Sequence, residues 1–86
     1  MSKTIQINVQ ELLKETQRLL NAERGQTGIQ LQVSGHKQDE DWLHIVVTPK
    51  KKGVRAYDYV EALERVEKQL RQAGNEKVVV VPALAD

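Results

Sequence analysis

Residues 58–81, DYVEALERVEKQLRQAGNEKVVVV, hold a complete helix signal followed by a complete strand signal. Asp58 and Glu61 have the spacing of a capping box, in which two side chains accept hydrogen bonds from backbone amides at the start of a helix. Gly74 can adopt the left-handed conformation that ends a helix. The four valines at 78–81 are typical of a strand. A helix followed at once by a strand predicts a fold that mixes the two structures.

The predicted helix has one apolar and one charged face. Tyr57 and Ala62 stand where a hydrophobic staple would close the start of the helix. Apolar residues recur at helical spacing: Val60, Leu63, Val66, Leu70 and Ala73. Oppositely charged residues stand four positions apart in three pairs: Glu61–Arg65, Glu64–Lys68 and Glu67–Arg71. We expect the apolar face to pack on a sheet and the charged face to meet water.

The same pattern occurs earlier in the chain. Asn8 and Glu11 form a second potential capping box, which predicts a helix from about residue 9 to residue 24, ended by Gly25. Before it, residues 4–7 alternate polar and apolar side chains, which favours a short strand.

A hairpin is expected between the two helices. Residues 29–34 and residues 42–48 both alternate apolar and polar side chains, and the polar residues 35–40 separate them as a turn. The residues predicted to share one core with the helices are Leu13, Leu20, Leu31, Ile45, Leu63 and Val66.

The order of elements is therefore β-α-β-β-α-β, which is the ferredoxin-like arrangement of the α+β class. Such a two-layer sandwich has both helices on one face of a four-stranded antiparallel sheet, in the strand order 4-1-3-2. Without the first strand, the alternative is an α-β-β-α-β sandwich with a three-stranded sheet. The chain has 86 residues, so residues 1–86 are expected to form a single domain.

The composition narrows the possible functions. The net charge is +1, there is no Cys, and no apolar run is long enough to span a membrane. No secretion signal is recognisable, so we expect a small soluble cytoplasmic protein. His36 and His44 do not have the spacing of a metal site, and the sequence places no catalytic partner beside either of them. We predict no catalytic residue, no metal and no cofactor, and favour a protein that is not an enzyme.

One face of the predicted sheet is left without a helix. Uniformly apolar strands such as residues 78–81 are normally covered on both faces, and as the last strand of the sheet this one would also have a free edge. We therefore predict a homodimer formed by the open face or by the edge of the last strand. The predicted interface residues are Trp42, His44, Val46, Val79 and Val81.

A second surface is basic. Because the chain alternates between the two ends of the sheet, the long loop after residue 49 is expected beside the end of the first helix and the N-terminus. The positive residues gathered there are Lys50, Lys51, Lys52, Arg55, Arg24 and Lys3. Next to the positive end of a helix, they could bind phosphate or a nucleic-acid backbone weakly.

Three functional classes follow. The first is a non-enzymatic interaction or regulatory domain that dimerises through its sheet. The second is a module that binds phosphate or nucleic acid through the basic loop at 50–55. The third is a small enzyme or ligand-binding subunit whose site forms only between two sheets of a dimer.

Overall fold

The computed structural model describes residues 9–83, which form an α+β fold with two helices and one three-stranded sheet. The helices are α1, Val9–Thr27, and α2, Val60–Gln72. The strands are β1, Leu31–Asp39, β2, Trp42–Pro49, and β3, Val78–Pro82. A single 3₁₀ turn, Ala56–Asp58, precedes α2.

The strand order differs from the ferredoxin-like one. The sheet runs β1-β2-β3, with β1 antiparallel and β3 parallel to the central β2. In the order 4-1-3-2, the first strand would lie between β2 and β3, but these two strands pair directly from Leu43–Val78 to Val47–Pro82. The ferredoxin-like topology and a fully antiparallel sheet are therefore not confirmed. The described elements have the order of the alternative, α-β-β-α-β, and the predicted strand at 4–7 lies outside the described residues.

The core lies between the helices and one face of the sheet. On β2 and β3, the side chains of Leu43, Ile45, Val47, Val78 and Val80 are buried there. The predicted core is confirmed for Leu20, Leu31, Ile45, Leu63 and Val66, while Leu13 is partly exposed and packs against it.

The first helix is longer than predicted. It continues through Gly25 to Thr27, and Gly28 takes the positive φ of +74° that ends it. The Gly28 amide donates to the Arg24 carbonyl at 2.8 Å, and the Thr27 hydroxyl accepts a hydrogen bond from the Ile29 amide at 3.0 Å. These bonds satisfy backbone groups at the exit from α1. The prediction that Gly25 ends the helix is therefore wrong. The predicted cap at Asn8 lies outside the described residues.

The start of the second helix also differs. Asp58 accepts a hydrogen bond from the Arg55 amide at 3.1 Å within the 3₁₀ turn, so it does not cap α2, which begins at Val60. Tyr57 is 84% exposed and makes no hydrophobic staple, and Val60 is exposed as well. Tyr59 is buried instead. The predicted end of this helix is correct, since Gly74 has a φ of +106°.

The hairpin is tighter than predicted. Asp39 pairs with Trp42, which leaves only Glu40 and Asp41 as the turn, and Glu40 has a φ of +56°. A β-bulge at Ser34 shifts the register between Val33 and Gly35. A shift of one residue moves every later side chain to the other face of a strand, so β1 changes its pattern part-way along its length.

Candidate functional site

The sheet face opposite the helices collects the five predicted interface residues. In the register of the parallel pair, Val79 lies beside His44 and Val81 beside Val46, so these four side chains share one face. All four are half-buried, and Trp42, at the start of β2 on the same face, is 39% exposed. We call this surface the open face. No described helix packs on it.

The β1 side of the open face is more polar than the β3 side. Beyond the bulge, Lys37 lies opposite His44, and Asp39 lies opposite Trp42. The apolar part of the open face is thus a patch on β2 and β3 with polar residues along one side.

Trp42 stands at the margin of this patch and contacts a cation. The Arg71 guanidinium lies 5.8 Å from the centre of its ring, within the range of a cation–π interaction. Arg71 also forms an ion pair of 3.2 Å with Glu67. One contact of the Trp42 ring is therefore with a cation of α2, while a large part of the residue stays exposed.

The outer edges of the sheet are occupied by helix side chains. On β1, the Gln17 amide of α1 donates to the Leu31 carbonyl at 3.0 Å and accepts from the Val33 amide at 2.9 Å. These are the hydrogen bonds that a neighbouring strand would make. Both bonds lie on the part of β1 before the bulge.

On β3, two side chains of α2 have the same role. Glu67 accepts from the Val80 amide at 2.9 Å, and Arg71 donates to the Val78 carbonyl at 3.2 Å. At the next outward position stands Pro82, which has no amide hydrogen to donate. The edge of the last strand is therefore poorly suited to pair with another chain.

The basic residues converge at the opposite end of the sheet from the hairpin turn. Arg24 lines one groove with Lys50 and another with Lys51, so the end of α1 and the loop after β2 lie together. Lys50, Lys51, Lys52 and Arg55 are all exposed. Lys3 lies outside the described residues. The exposed Asp39, Glu40 and Asp41 mark the acidic end.

A cleft of about 640 Å³ opens beside the basic loop, where the parallel strands β2 and β3 both end. In open α/β sheets, ligands bind outside the carboxyl ends of parallel strands, and the cleft has the same position relative to the one parallel pair of this sheet. One side of the cleft is the loop from β2 to α2, and the other is the end of β3 at Pro82 and Ala83. Its apolar lining residues are Pro49, Val54, Ala56, Tyr59, Pro82 and Ala83.

The two histidines do not form a joint site. His36 follows the bulge and lies opposite Ile45, on the side of the sheet that carries the helices, whereas His44 lies on the open face. Within residues 9–83, no group of three or more His, Cys, Asp or Glu side chains could hold a metal ion.

Comparison of the chain with protein-family models, curated proteins and solved structures found no match. In the part of the chain that the structure describes, no helix has the length and apolar character needed to cross a membrane.

Sequence reasoning missed one buried ionic contact between the helices. The Glu23 carboxylate of α1 is almost fully buried and accepts from Arg65 of α2 at 2.9 Å from Nε and 2.7 Å from Nη2. This hydrogen bond from the guanidinium raises the pKa of Arg65. Glu23 continues the spacing of the apolar stripe of α1 after Thr16, Leu19 and Leu20, and that position was the available signal.

Proposed function

We propose that this protein is a small non-enzymatic interaction domain that forms a homodimer through the open face of its sheet. The observation that carries the proposal is the register of β2 and β3, which puts Val79 and Val81 beside His44 and Val46 on a face without a described helix. A second copy of the same patch would cover these side chains with a matching apolar surface, as in other symmetric dimers.

The hydrogen bonds at the sheet edges favour the face over the edge. A chain that paired with β3 would have to displace Glu67 from the Val80 amide and Arg71 from the Val78 carbonyl. Pairing with the first half of β1 would similarly displace Gln17. Packing on the open face breaks none of these bonds.

The substitution Val46→Glu tests the proposal. We expect the wild-type protein to sediment as a dimer and the variant as a monomer, because a carboxylate buried against a second apolar patch would lose its hydration without gaining a partner. Sedimentation velocity measures the association, and far-ultraviolet circular dichroism shows that the variant keeps its helices.

Val60→Glu is the matched control, since Val60 is an exposed valine at the start of α2, away from the open face. This variant should remain a dimer. A wild-type chain that stays monomeric at millimolar concentration would contradict the proposal, and so would equal dissociation of the two variants.

A second function is favoured by a separate observation. Arg24, from the end of α1, shares grooves with Lys50 and Lys51, and the remaining basic residues of the loop follow directly. This convergence of positive side chains from distant parts of the sequence supports weak binding of phosphate or a nucleic-acid backbone at this end of the molecule.

A further inference from the structure

The cleft beside the basic loop combines two kinds of surface. Its volume of about 640 Å³ is in the range of small-molecule sites, which are about 300–1,000 Å³. It lies where the loop after β2, the start of α2 and the end of β3 meet, so three separate segments of the chain form its walls. Such a cleft is a different surface from the open face and does not depend on self-association.

The walls of the cleft are largely apolar. Pro49 and Pro82 end the two parallel strands on either side, Val54 and Ala56 line the loop side, and Tyr59 lies below them. Val54 and Ala56 pack partly against the core, and Tyr59 belongs to it, so these walls rest on the rigid part of the fold. A bare inorganic anion would gain nothing from them, whereas an apolar ligand would lose its contact with water there.

The rim of the cleft is positive. Lys50, Lys51, Lys52 and Arg55 all line it, with Gly53 at a φ of +85° allowing the loop to turn between them. The salt bridges formed by residues 9–83 include none of these four cations. The nearby acidic residue Asp58 accepts its hydrogen bond from the backbone of Arg55 rather than from its side chain. The charge of the rim is thus available to an anion.

We propose that this cleft binds a small organic anion with an apolar body, such as an aromatic or aliphatic carboxylate, sulfonate or phosphate ester. The apolar part would lie between Val54, Tyr59 and Pro82, and the anionic group would face the lysines of the loop. Both parts are needed, because exposed lysines alone attract an anion only weakly in salt solution.

Three probes separate the two parts of the proposed ligand. Naphthalene-1-sulfonate carries a ring and a charge, naphthalene-1-methanol carries the ring alone, and inorganic sulfate carries the charge alone. Each is titrated into the ¹⁵N-labelled full chain while amide shifts are followed. We expect the sulfonate to shift the amides of residues 50–59 and of Ala83 at concentrations where the other two probes give little change.

Substitutions then locate the binding. The double variant Lys51→Gln, Lys52→Gln should lower the affinity for the sulfonate by about two- to fivefold for each lysine, which is the range expected for exposed charge pairs. A control with the same net charge, Lys14→Gln, Lys68→Gln, changes two exposed lysines on the helices and should bind like the wild type. Val54→Asp should abolish binding of the sulfonate, because it places a negative charge in the apolar wall of the cleft. If Val54→Asp unfolds the chain, the comparison of the two double lysine variants still tests the proposal.

Other outcomes would overturn the proposal. Equal affinity for sulfate would show a plain anion site, and equal affinity for the neutral alcohol would show an apolar site without a charge requirement. Shifts centred on Trp42 and Val46, or no shifts at millimolar probe, would show that the cleft is not the binding site. Val46→Glu should leave binding in the cleft intact, so failure of the proposed dimer and failure of this site are distinguishable.

Discussion

Tyr59 is the residue around which the start of α2 is organised. The residue is 3% exposed and lies in the core with Leu63 and Val66, although it stands at the N-cap position and makes no side-chain capping bond. Burial of so large a side chain stabilises the fold by more than one capping hydrogen bond would. Asp58 consequently accepts a hydrogen bond within the 3₁₀ turn before the helix instead of capping α2.

Tyr59 should make the stability of the fold sensitive to alkaline pH. Burial raises the pKa of its phenol, because the charged form loses hydration. The folded state therefore holds the proton more tightly than the unfolded state, whose tyrosine has a pKa of about 10. The protonated phenol of Tyr59 therefore contributes its full stabilisation at pH values below the unfolded pKa of about 10. This contribution is lost as the pH rises from the unfolded pKa through the higher folded pKa.

The measurement is the free energy of unfolding in urea, determined at several values between pH 8 and pH 11. We expect Tyr59→Phe to lose less stability over this range than the wild type, since it has no proton to release. Tyr57→Phe is the control, because Tyr57 is 84% exposed, and the stability of this variant should follow that of the wild type. Identical pH profiles for Tyr59→Phe and the wild type would rule out the effect.

At the scale of elements, helices and sheet are joined by polar contacts as well as by apolar packing. Gln17 joins α1 to the edge of β1, and Glu67 and Arg71 join α2 to the edge of β3. Between the helices, Glu23 and Arg65 form the part-buried ion pair. Helix side chains thus form hydrogen bonds with backbone amides and carbonyls of the edge strands that could otherwise pair with another chain.

Gln17→Ala should therefore loosen the edge of β1. The substitution removes the two hydrogen bonds from Gln17 to β1, together with an exposed one to Asn21 on the same helix, and we expect each bond to β1 to contribute about 0.5–1.5 kcal/mol to the free energy of unfolding. Hydrogen exchange gives the local readout, since the Val33 amide should exchange faster in the variant. Gln10→Ala, at an exposed position of the same helix, should leave it unchanged. Unaltered protection of Val33 in Gln17→Ala would contradict this role.

For the whole molecule, a net charge of only +1 conceals an uneven distribution. Arg24 and the exposed basic residues of the 50–55 loop gather at one end. At the other end, the hairpin turn is acidic, and Lys77 neutralises part of it through an ion pair of 3.0 Å with Asp41. The arrangement follows from the path of the chain, which alternates between the two ends of the sheet, so that the end of α1 and the loop from β2 to α2 lie at the same end.

This asymmetry predicts weak binding of a single-stranded oligonucleotide that depends strongly on salt. With about four cations in contact with phosphates, the logarithm of the binding constant should fall with the logarithm of salt concentration at a slope of about −3. Fluorescence anisotropy of a labelled oligonucleotide measures the slope, and NMR should place the shifts at residues 50–59.

Two triple variants test the location. Changing Lys50, Lys51 and Lys52 to Gln should remove most of the salt dependence, whereas changing Lys14, Lys37 and Lys68 to Gln removes the same charge elsewhere and should have little effect. Binding that is insensitive to salt, or shifts centred on Trp42 and His44, would speak against the basic end.

The sequence by itself determined the features that depend on local periodicity and chain direction. Alternation in β2 predicted that Leu43, Ile45 and Val47 face the helices, and these three are buried, whereas Trp42 is exposed and His44 and Val46 are half-buried. The return of the chain to one end of the sheet predicted that Arg24 meets the loop with Lys50 and Lys51. Side-chain period and the direction of each element are properties of short segments, which is why they could be read without a structure.

Only the tertiary structure decided which strands are neighbours and how each element begins and ends. Direct parallel pairing of β2 with β3, the bulge at Ser34 and the bonds of Gln17 all join residues far apart in the chain, and no local pattern encodes them. At the start of α2, the local capping signal of Asp58 competed with burial of Tyr59, and burial prevailed. For any one residue, the local conformations that compete at a helix start or a strand pairing differ little in free energy. The packing of the whole fold therefore decides between them.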